Sequence, residues 1–241
     1  MRPTAITGAA AAAAALAVLL SGCGSDSGKG DSSTSSSASA ASSSEESESP
    51  TPSAPALRSD PPAAPAGAAG GTVADYLNQN GITQVSVKPG EEGAPNVNLP
   101  TPEGWAFKND SLPEGAYGGI AYTGPDAAPE FPPTMFAYLS RLDGDADPEA
   151  ILEAAPNELK GMPGFEGTPG APERLSGFDA YEVAGSYLQD GKPTFVAQKT
   201  VVIPGPDALY MLQLNAYSTP EQQDKLGAAM GQIDSQTEIS F

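Results

Sequence analysis

The residues whose types and spacing point to chemistry stand at the end of a short apolar run. Leu20-Ser21-Gly22-Cys23 places an aliphatic and two small residues before a cysteine, the pattern at which bacterial lipoprotein precursors are alkylated and cleaved. The run from Ile6 to Leu20 has about 15 residues, which suits a signal peptide and is shorter than the roughly 20 that span a bilayer. We therefore expect residues 1–22 to be a lipoprotein signal peptide and Cys23 to be the site of lipid attachment.

Cysteine usage favours this interpretation. Cys23 is the only cysteine, so no disulfide can form within the chain, and an exported protein with one free thiol is unusual. The alternative is an ordinary secretory signal with an unrelated cysteine. With the anchor, the protein is exported and held at the outer face of the cytoplasmic membrane or in the cell envelope.

A second motif, Asp143-Gly144-Asp145-Ala146-Asp147, resembles a calcium-binding loop because alternate acids present oxygen ligands. The sixth position is Pro148 rather than glycine, and the twelfth is Ala154 rather than the bidentate glutamate. Asp147 instead suits the N-cap of a helix in which Pro148 occupies the first turn. We predict that cap and no metal site.

Several reaction classes are excluded by composition. The chain has no histidine and no cysteine after Cys23, which removes Ser-His-Asp triads, histidine–zinc sites and thiol catalysis. Eleven basic against 30 acidic residues, a net charge of −19, disfavours nucleic acid as a partner. A carboxylate-dependent glycosidase remains an alternative. We expect no enzyme activity, no catalytic residues and no cofactor.

The first element that follows Cys23 is a tether. Residues 23–71 are rich in Ser, Ala, Gly and Pro and poor in branched or aromatic side chains, a composition typical of disorder. A chain of that length spans roughly 35–40 Å as a random coil and roughly 160 Å when stretched. The tether ends where hydrophobic periodicity begins, near Thr72.

Residues 72–241 are predicted to form one domain with helices near both ends. Thr72 is expected to cap a helix over 73–80, and the helix that begins at Pro148 is expected to reach residue 160 with a kink at Pro156. Thr219 and Gln222 fit a capping box at the start of the final helix.

Between these helices the sequence predicts strands. Trp105 and Phe107 alternate onto one face, and 134–142 is apolar on both faces, as in a central strand. Three later strands, 177–189, 194–203 and 208–217, follow one another as an antiparallel meander, with Asp190-Gly191 as a hairpin turn. The predicted fold class is α+β, an antiparallel sheet packed with helices.

Two irregular, glycine- and proline-rich connections, 108–133 and 161–172, carry apolar side chains that are unusual in exposed loops. These apolar side chains are the candidate binding residues for a ligand or partner. The alternative is that they pack against the edge of the core. The candidates are Tyr117, Tyr122, Phe131, Met162 and Phe165.

A resemblance is carried by the motif Leu20-Ser21-Gly22-Cys23 (the lipobox), the proline-rich tether, the turn 99–105, the helix start 147–152 and above all Tyr210-Met211-Leu212-Gln213-Leu214-Asn215-Ala216. Together these segments resemble the mycobacterial LpqN/LpqT lipoprotein family. The tether is similar to that of the family's proline-rich secreted antigen. The resemblance implies a Mog1/PsbP-like α/β/α sandwich, with helices on both faces of the sheet, and a role in the cell envelope linked to mycolate-lipid export. It implies no catalytic residue.

Two hypotheses follow for the function. In the first, the domain is a non-catalytic adaptor that binds envelope transporters or other exported proteins, and its acidic surface favours basic partners. In the second, it carries a hydrophobic envelope glycolipid. A closed apolar cavity is required only by the second hypothesis. The adaptor is favoured because Mog1/PsbP-like domains, which the resemblance implies, mostly bind proteins.

Overall fold

The computed structural model describes residues 70–108 and 111–241. The predicted signal peptide, Cys23 and the predicted tether up to residue 69 lie outside the described residues. No helix of the described ranges is long and apolar enough to cross a membrane.

Antiparallel strands dominate the structure and form one nine-stranded sheet. The strands are β1 (Thr83–Ser86), β2 (Asn96–Asn98), β3 (Trp105–Phe107), β4 (Gly118–Tyr122), β5 (Thr134–Asp143), β6 (Glu166–Gly167), β7 (Ala171–Leu175), β8 (Phe178–Gln189), β9 (Lys192–Pro204), β10 (Leu209–Ser218) and β11 (Glu238–Ser240). Along the sheet the order is β3-β4-β5-β10-β9-β8-β6; β1 adds to β5 and β7 adds to β8. β2 and β11 pair separately as a small second sheet.

Helices lie at the start, middle and end of the domain. They are α1 (Val73–Gln79), α2 (Pro148–Ala154), α3 (Asn157–Lys160) and α4 (Gln223–Gln236). Thr72 caps α1, its hydroxyl accepting the Asp75 N–H and its own N–H bonding the Asp75 carboxylate. Asp147 caps α2 by accepting the N–H of Glu149. Both predicted caps are confirmed because each depends only on residues two or three positions away.

Alternation along β10 explains why both faces of the sheet are covered. Leu214 joins Ile233 of α4 in the largest core cluster, whereas Met211 packs with Ile151 of α2 on the opposite face. Successive side chains of a strand point to opposite faces, so a central strand with apolar residues at both parities needs helices on both sides. The predicted antiparallel sheet with helices on both faces is confirmed. We call the two faces the α4 side and the α1–α3 side.

Three local predictions were wrong. The side chain of Thr219 makes no capping bond, because residues Pro220–Gln222 form a 3₁₀ turn ahead of α4. Gln222 instead bonds the 124–131 loop, accepting the N–H of Ala128 at 3.0 Å and donating to the carbonyl of Asp126 at 2.6 Å. The single helix predicted over 148–160 is two helices, α2 and α3, although the break falls at Pro156, where the kink was predicted.

The third wrong prediction concerns the irregular stretch 161–172. It contains β6 and the first residues of β7, both paired with β8. One edge of β8 pairs with β9, and the opposite edge supplies the hydrogen-bonding groups for β6 and β7. β7 pairs with β8 on one edge, and a strand at the margin of a sheet is where a proline such as Pro172 is tolerated.

Candidate ligand cavity

An open cavity of about 610 Å³ lies on the α4 side of the sheet, against the β3–β4 margin. Its floor crosses three strands along one row, because Gly118 of β4 pairs with Ala137 of β5, and Ala137 pairs with Leu214 of β10. Directly paired residues of an antiparallel sheet point to the same face, so all three face the cavity. Ile233 of α4 also lines the cavity.

Small side chains account for the empty space. A Cβ placed on Gly118 would have no neighbouring atom within 4 Å, and its neighbour in the row is only an alanine. No side chain from these two positions fills the space above the floor. The cavity therefore exists because the floor residues Gly118 and Ala137 have little or no side chain to fill it.

The outer wall is β2, held in place by Tyr117. The Tyr117 hydroxyl accepts a hydrogen bond from the Val97 N–H at 3.3 Å, and the Tyr117 N–H donates to the Ala137 carbonyl at 2.7 Å. Val97 and Tyr117 are both buried. One residue thus connects the wall strand to the floor.

The mouth of the cavity is defined by its exposed lining residues. Phe107 is 62% exposed and Leu112 is 37% exposed, which makes them two of the few large apolar side chains that the described residues present to solvent. Lys88, Asn96 and Asn98 are exposed polar residues among those that line the cavity. The cavity is therefore apolar inside and mixed at its rim.

Helix α4 is fixed to the sheet by a buried ion pair. Lys199 of β9 has 1% of its side chain exposed and pairs with Glu182 at 2.9 Å and with Asp234 of α4. Burial lowers the pKa of Lys199, but the hydrogen bonds to Asp234 and Glu182 outweigh that effect and raise it above its ordinary value. The ammonium therefore stays charged and holds α4, with Ile233, over the cavity.

The second attachment of α4 lies near its first turn. Asp126 forms an ion pair with Lys225 at 2.8 Å and accepts the Tyr122 hydroxyl at 2.7 Å. The hydrogen bonds from Lys225 and Tyr122 lower the pKa of Asp126 to about 2. This contact joins the 124–131 loop to the helix at the end remote from Ile233.

The structure brings one of the five candidate binding residues to this cavity. Tyr117 lines it. Tyr122 packs against Trp105 with ring centroids 5.9 Å apart, and Phe131 is half-buried in the connection between β4 and β5. Met162 and Phe165 belong to a cluster on the α1–α3 side, across the sheet. That they bind a ligand stays a prediction, but the two irregular loops do not form one site around this cavity.

Sequence reasoning missed Lys88, Phe107, Leu112 and Gly118 as lining residues. The adjacent Gly118 and Gly119 were one available signal, since glycine within a strand marks a place where another group approaches closely. Their partners come from distant parts of the chain.

In the described part of the chain, the acidic side chains of the loop 143–147 have other partners. Asp143 pairs with Arg141 at 2.7 Å, and Asp147 is used as the α2 cap. Over residues 70–108 and 111–241 no three Asp, Glu or Cys side chains are arranged to hold a metal ion.

Comparison with known proteins finds relatives that are all described as lipoproteins. The family model described as "Probable lipoprotein LpqN" matches residues 69–240. Lipoprotein LpqN of Mycobacterium tuberculosis (strain ATCC 25618 / H37Rv) is 46% identical over 173 residues, which cover 70% of this chain and 74% of that protein. Putative lipoprotein LpqT of Mycobacterium leprae (strain TN) is 26% identical over 148 residues, 59% of this chain and 64% of that protein.

A solved structure is similar in fold as well as in sequence. The crystal structure described as LpqN involved in cell envelope biogenesis of Mycobacterium tuberculosis superimposes with a TM-score of 0.66 at 44% identity. The match covers 70% of this chain and 98% of the crystallised one.

Proposed function

This chain belongs to the LpqN lipoprotein family, and we propose that it is a cell-envelope lipoprotein whose domain carries an acylated lipid in the cavity on the α4 side. The relative with a solved structure is described as involved in cell envelope biogenesis, which supports a place in the envelope. In this proposal Cys23 carries the anchor, the tether gives the domain its reach, and the role is non-catalytic.

The cavity is the observation that carries the proposal. Its volume of about 610 Å³ lies within the range of roughly 300–1,000 Å³ typical of ligand sites. A molecule of liquid water occupies roughly 30 Å³, so the cavity has room for about 20 groups of that size, which is comparable with one long acyl chain. Met135, Ala137, Leu214 and Ile233 offer that chain an apolar surface.

The sequence left open a choice between an adaptor for other exported proteins and a carrier, and named a closed apolar cavity as the difference. The cavity on the α4 side is apolar inside but open at its mouth, so the carrier is supported by its size and apolar floor and not by closure. The apolar rim formed by Phe107 and Leu112 also supports the carrier, because an acyl chain that enters from a membrane or a donor protein meets apolar surface first. We propose that the lipid is an envelope glycolipid in transit, in line with the family's link to mycolate-lipid export.

The test compares lipids that copurify with the full-length protein from the envelope of a mycolate-producing host. Organic extraction removes lipid that is bound non-covalently and leaves the covalent anchor on the protein, so mass spectrometry of the extract reports the cavity. Gly118→Leu places a side chain in the open space of the floor. We expect that variant to lose most of the extracted lipid without a loss of thermal stability.

Gly227→Leu is the matched control, since Gly227 lies on the exposed face of α4 and a Cβ there also meets nothing within 4 Å. It should retain the lipid of the unsubstituted protein. An extract without lipid would reject the carrier and favour the adaptor, for which crosslinking in cells would identify the partner. Equal lipid in both variants would place the lipid outside the cavity.

A further inference from the structure

Strand β1 leaves part of one margin of the sheet open. Val87, directly after β1, donates its N–H to the Leu139 carbonyl of β5 at 2.8 Å. In an antiparallel ladder the backbone groups of every second residue face the partner strand, so those of Gln84 and Ser86 face away from β5. These two N–H and two C=O groups have no hydrogen-bond partner among residues 70–108 and 111–241.

The open edge lacks the features that usually protect an edge strand. Charged side chains, proline or a bulge normally provide that protection, because an unprotected row of backbone groups pairs readily with another chain. β1 has the sequence Thr-Gln-Val-Ser, without charge or proline, and three of its four residues are exposed. β7, at the opposite margin of the sheet, carries Pro172, Glu173 and Arg174. The edge of β1 is therefore suited to accept a further strand.

A strand added to β1 would end beside the mouth of the cavity. β10 occupies one edge of β5, so β4 and β1 share the other edge, where they pair with residues 134–137 and 140–143. β3 pairs with the outer edge of β4, and a strand on the outer edge of β1 would lie in line with β3. The end of β3 nearest to that strand is Phe107, which pairs with Ile120 and lines the cavity.

Carboxylates lie near both ends of β1. Beyond its last residue, the Glu91 carboxylate accepts the N–H of Lys88 at 3.1 Å. Before its first residue, Ile82 lies against Gly144, since a Cβ on that glycine would be 3.2 Å from the Ile82 Cα. The exposed Asp145 follows Gly144 in the chain.

Basic side chains near β1 do not balance these acids. Arg141 of β5 forms an ion pair with Asp143 at 2.7 Å, which neutralises its charge. Lys88 is accompanied by the exposed Glu91 and Glu92. The surroundings of the open edge are therefore acidic, as the net charge of −19 leads one to expect, and they favour basic groups on a partner.

We propose that the open edge of β1 is the docking site for an extended segment of a second envelope protein, a segment that is uncharged in its centre and basic at its ends. Its backbone pairs with Gln84 and Ser86 and extends the sheet by one strand. A second copy of this chain suits the edge less well, because its acidic ends would repel those of β1. The docking depends on the open edge alone; only its use, the transfer of lipid at the adjacent mouth, rests on the proposed carrier function.

The test measures the binding of a peptide of this chemistry to the full-length protein in detergent micelles. The peptide alternates threonine and valine in its centre, has lysine at both ends and carries a fluorescent label. Fluorescence anisotropy gives its affinity, and amide hydrogen exchange reports on the N–H groups of Gln84 and Ser86. One control peptide has glutamate in place of lysine, and another is N-methylated throughout its centre and cannot pair as a strand.

We expect the lysine peptide to slow exchange at the Gln84 and Ser86 amides about tenfold, and to bind about tenfold more tightly than either control peptide. Gln84→Pro removes an N–H that faces the peptide and makes no bond to β5, so it should weaken binding about tenfold. Gln84→Thr keeps that N–H and is the matched control, with the affinity of the unsubstituted protein. The N-methylated peptide makes the same comparison without any change to the protein.

Three results would overturn the proposal. Unchanged exchange at the Gln84 and Ser86 amides, or equal affinity of Gln84→Pro and Gln84→Thr, rejects the docking site. Equal affinity of the lysine and glutamate peptides rejects a basic partner. Protection of the two amides that increases with protein concentration, in the absence of peptide, assigns the edge to a second copy of the chain.

The cavity variant separates docking from the carrier function. Gly118→Leu should bind the lysine peptide normally, and Gln84→Pro should retain the lipid that is extracted from the unsubstituted protein. Peptide binding that is lost in Gly118→Leu shows that the peptide occupies the cavity, which overturns the docking site. A protein that binds the peptide at β1 and yields no lipid keeps the docking site and rejects the carrier.

Discussion

The hydroxyl oxygen of Tyr117 lies 3.3 Å from the backbone nitrogen of Val97 and accepts its hydrogen bond, which joins the wall of the cavity to its floor. Val97 is buried, so water cannot easily replace that acceptor. We expect Tyr117→Phe to lower the free energy of unfolding by about 1–3 kcal/mol, the usual cost of a buried donor left without a partner. Urea denaturation measures this change.

Tyr76→Phe is a matched control for that substitution. The Tyr76 hydroxyl also accepts a backbone N–H, that of Asp147 at 2.9 Å, but this bond is exposed to solvent. Water can take the place of the lost hydroxyl, so the cost should be clearly smaller. Equal losses in the two variants would contradict the argument from burial.

The ion pair at Lys199 gives a second prediction. Lys199→Ala removes the cation between Glu182 and Asp234 and leaves a void, and we expect a loss on the order of 3 kcal/mol. Lys199→Met keeps most of the volume, and the two carboxylates, each about one-third exposed, can be hydrated. It should cost less than half as much in chemical denaturation. Arg174→Ala, at an exposed pair, is the control and should change stability little.

Glu158 should make stability depend on pH. Burial raises its pKa by more than the hydrogen bonds from Gln198 and Gln213 lower it. The folded protein therefore binds this proton more tightly than the unfolded chain, and stability falls as pH rises from the ordinary glutamate range, about pH 4, through the raised pKa. We expect Glu158→Gln to gain stability relative to the unsubstituted protein over that interval.

Thermal unfolding at a series of pH values measures the Glu158 effect. Glu153→Gln, which removes an exposed carboxylate from α2, controls for the loss of one negative charge. A difference between Glu158→Gln and the unsubstituted protein that stays constant with pH would show that Glu158 does not titrate in this way.

Met162 and Phe107 should separate stability from lipid binding. Met162 is buried with Leu159 and Val183 on the α1–α3 side, so Met162→Ala should cost about 2–5 kcal/mol and leave the extracted lipid unchanged. Phe107 is exposed at the mouth, so Phe107→Ser should reduce the lipid with little effect on the melting temperature. Lipid loss in Met162→Ala under conditions where it is folded would restore the binding role predicted from sequence.

The local elements were predictable because their causes are local. Thr72 and Asp147 cap their helices through bonds to residues two or three positions away. Asp190 and Gly191 both have positive φ, as the two-residue turn between β8 and β9 requires. The apolar residues on both faces of 134–142 were sufficient to predict a central strand, β5, in a sheet that is covered on both sides.

Gln222 is a residue whose hydrogen bonds could not be predicted from its sequence neighbours. Its spacing from Thr219 fits a capping box, but its amide bonds Asp126 and Ala128, which are distant in the chain. A side chain with two possible partners takes the one that tertiary packing brings closer, and no local pattern reports that choice.

The sequence by itself determined the long central strands, two of the helix caps and the antiparallel fold, and it alone predicts the anchor at Cys23. Only the tertiary structure decided that Tyr117 lines a cavity while Met162 and Phe165 pack on the other face. A cavity is a space between layers, and it exists here because Gly118 and its neighbours place too little volume opposite α4 and β2. That shortage depends on residues far apart in the chain, so it appears only when they are folded together.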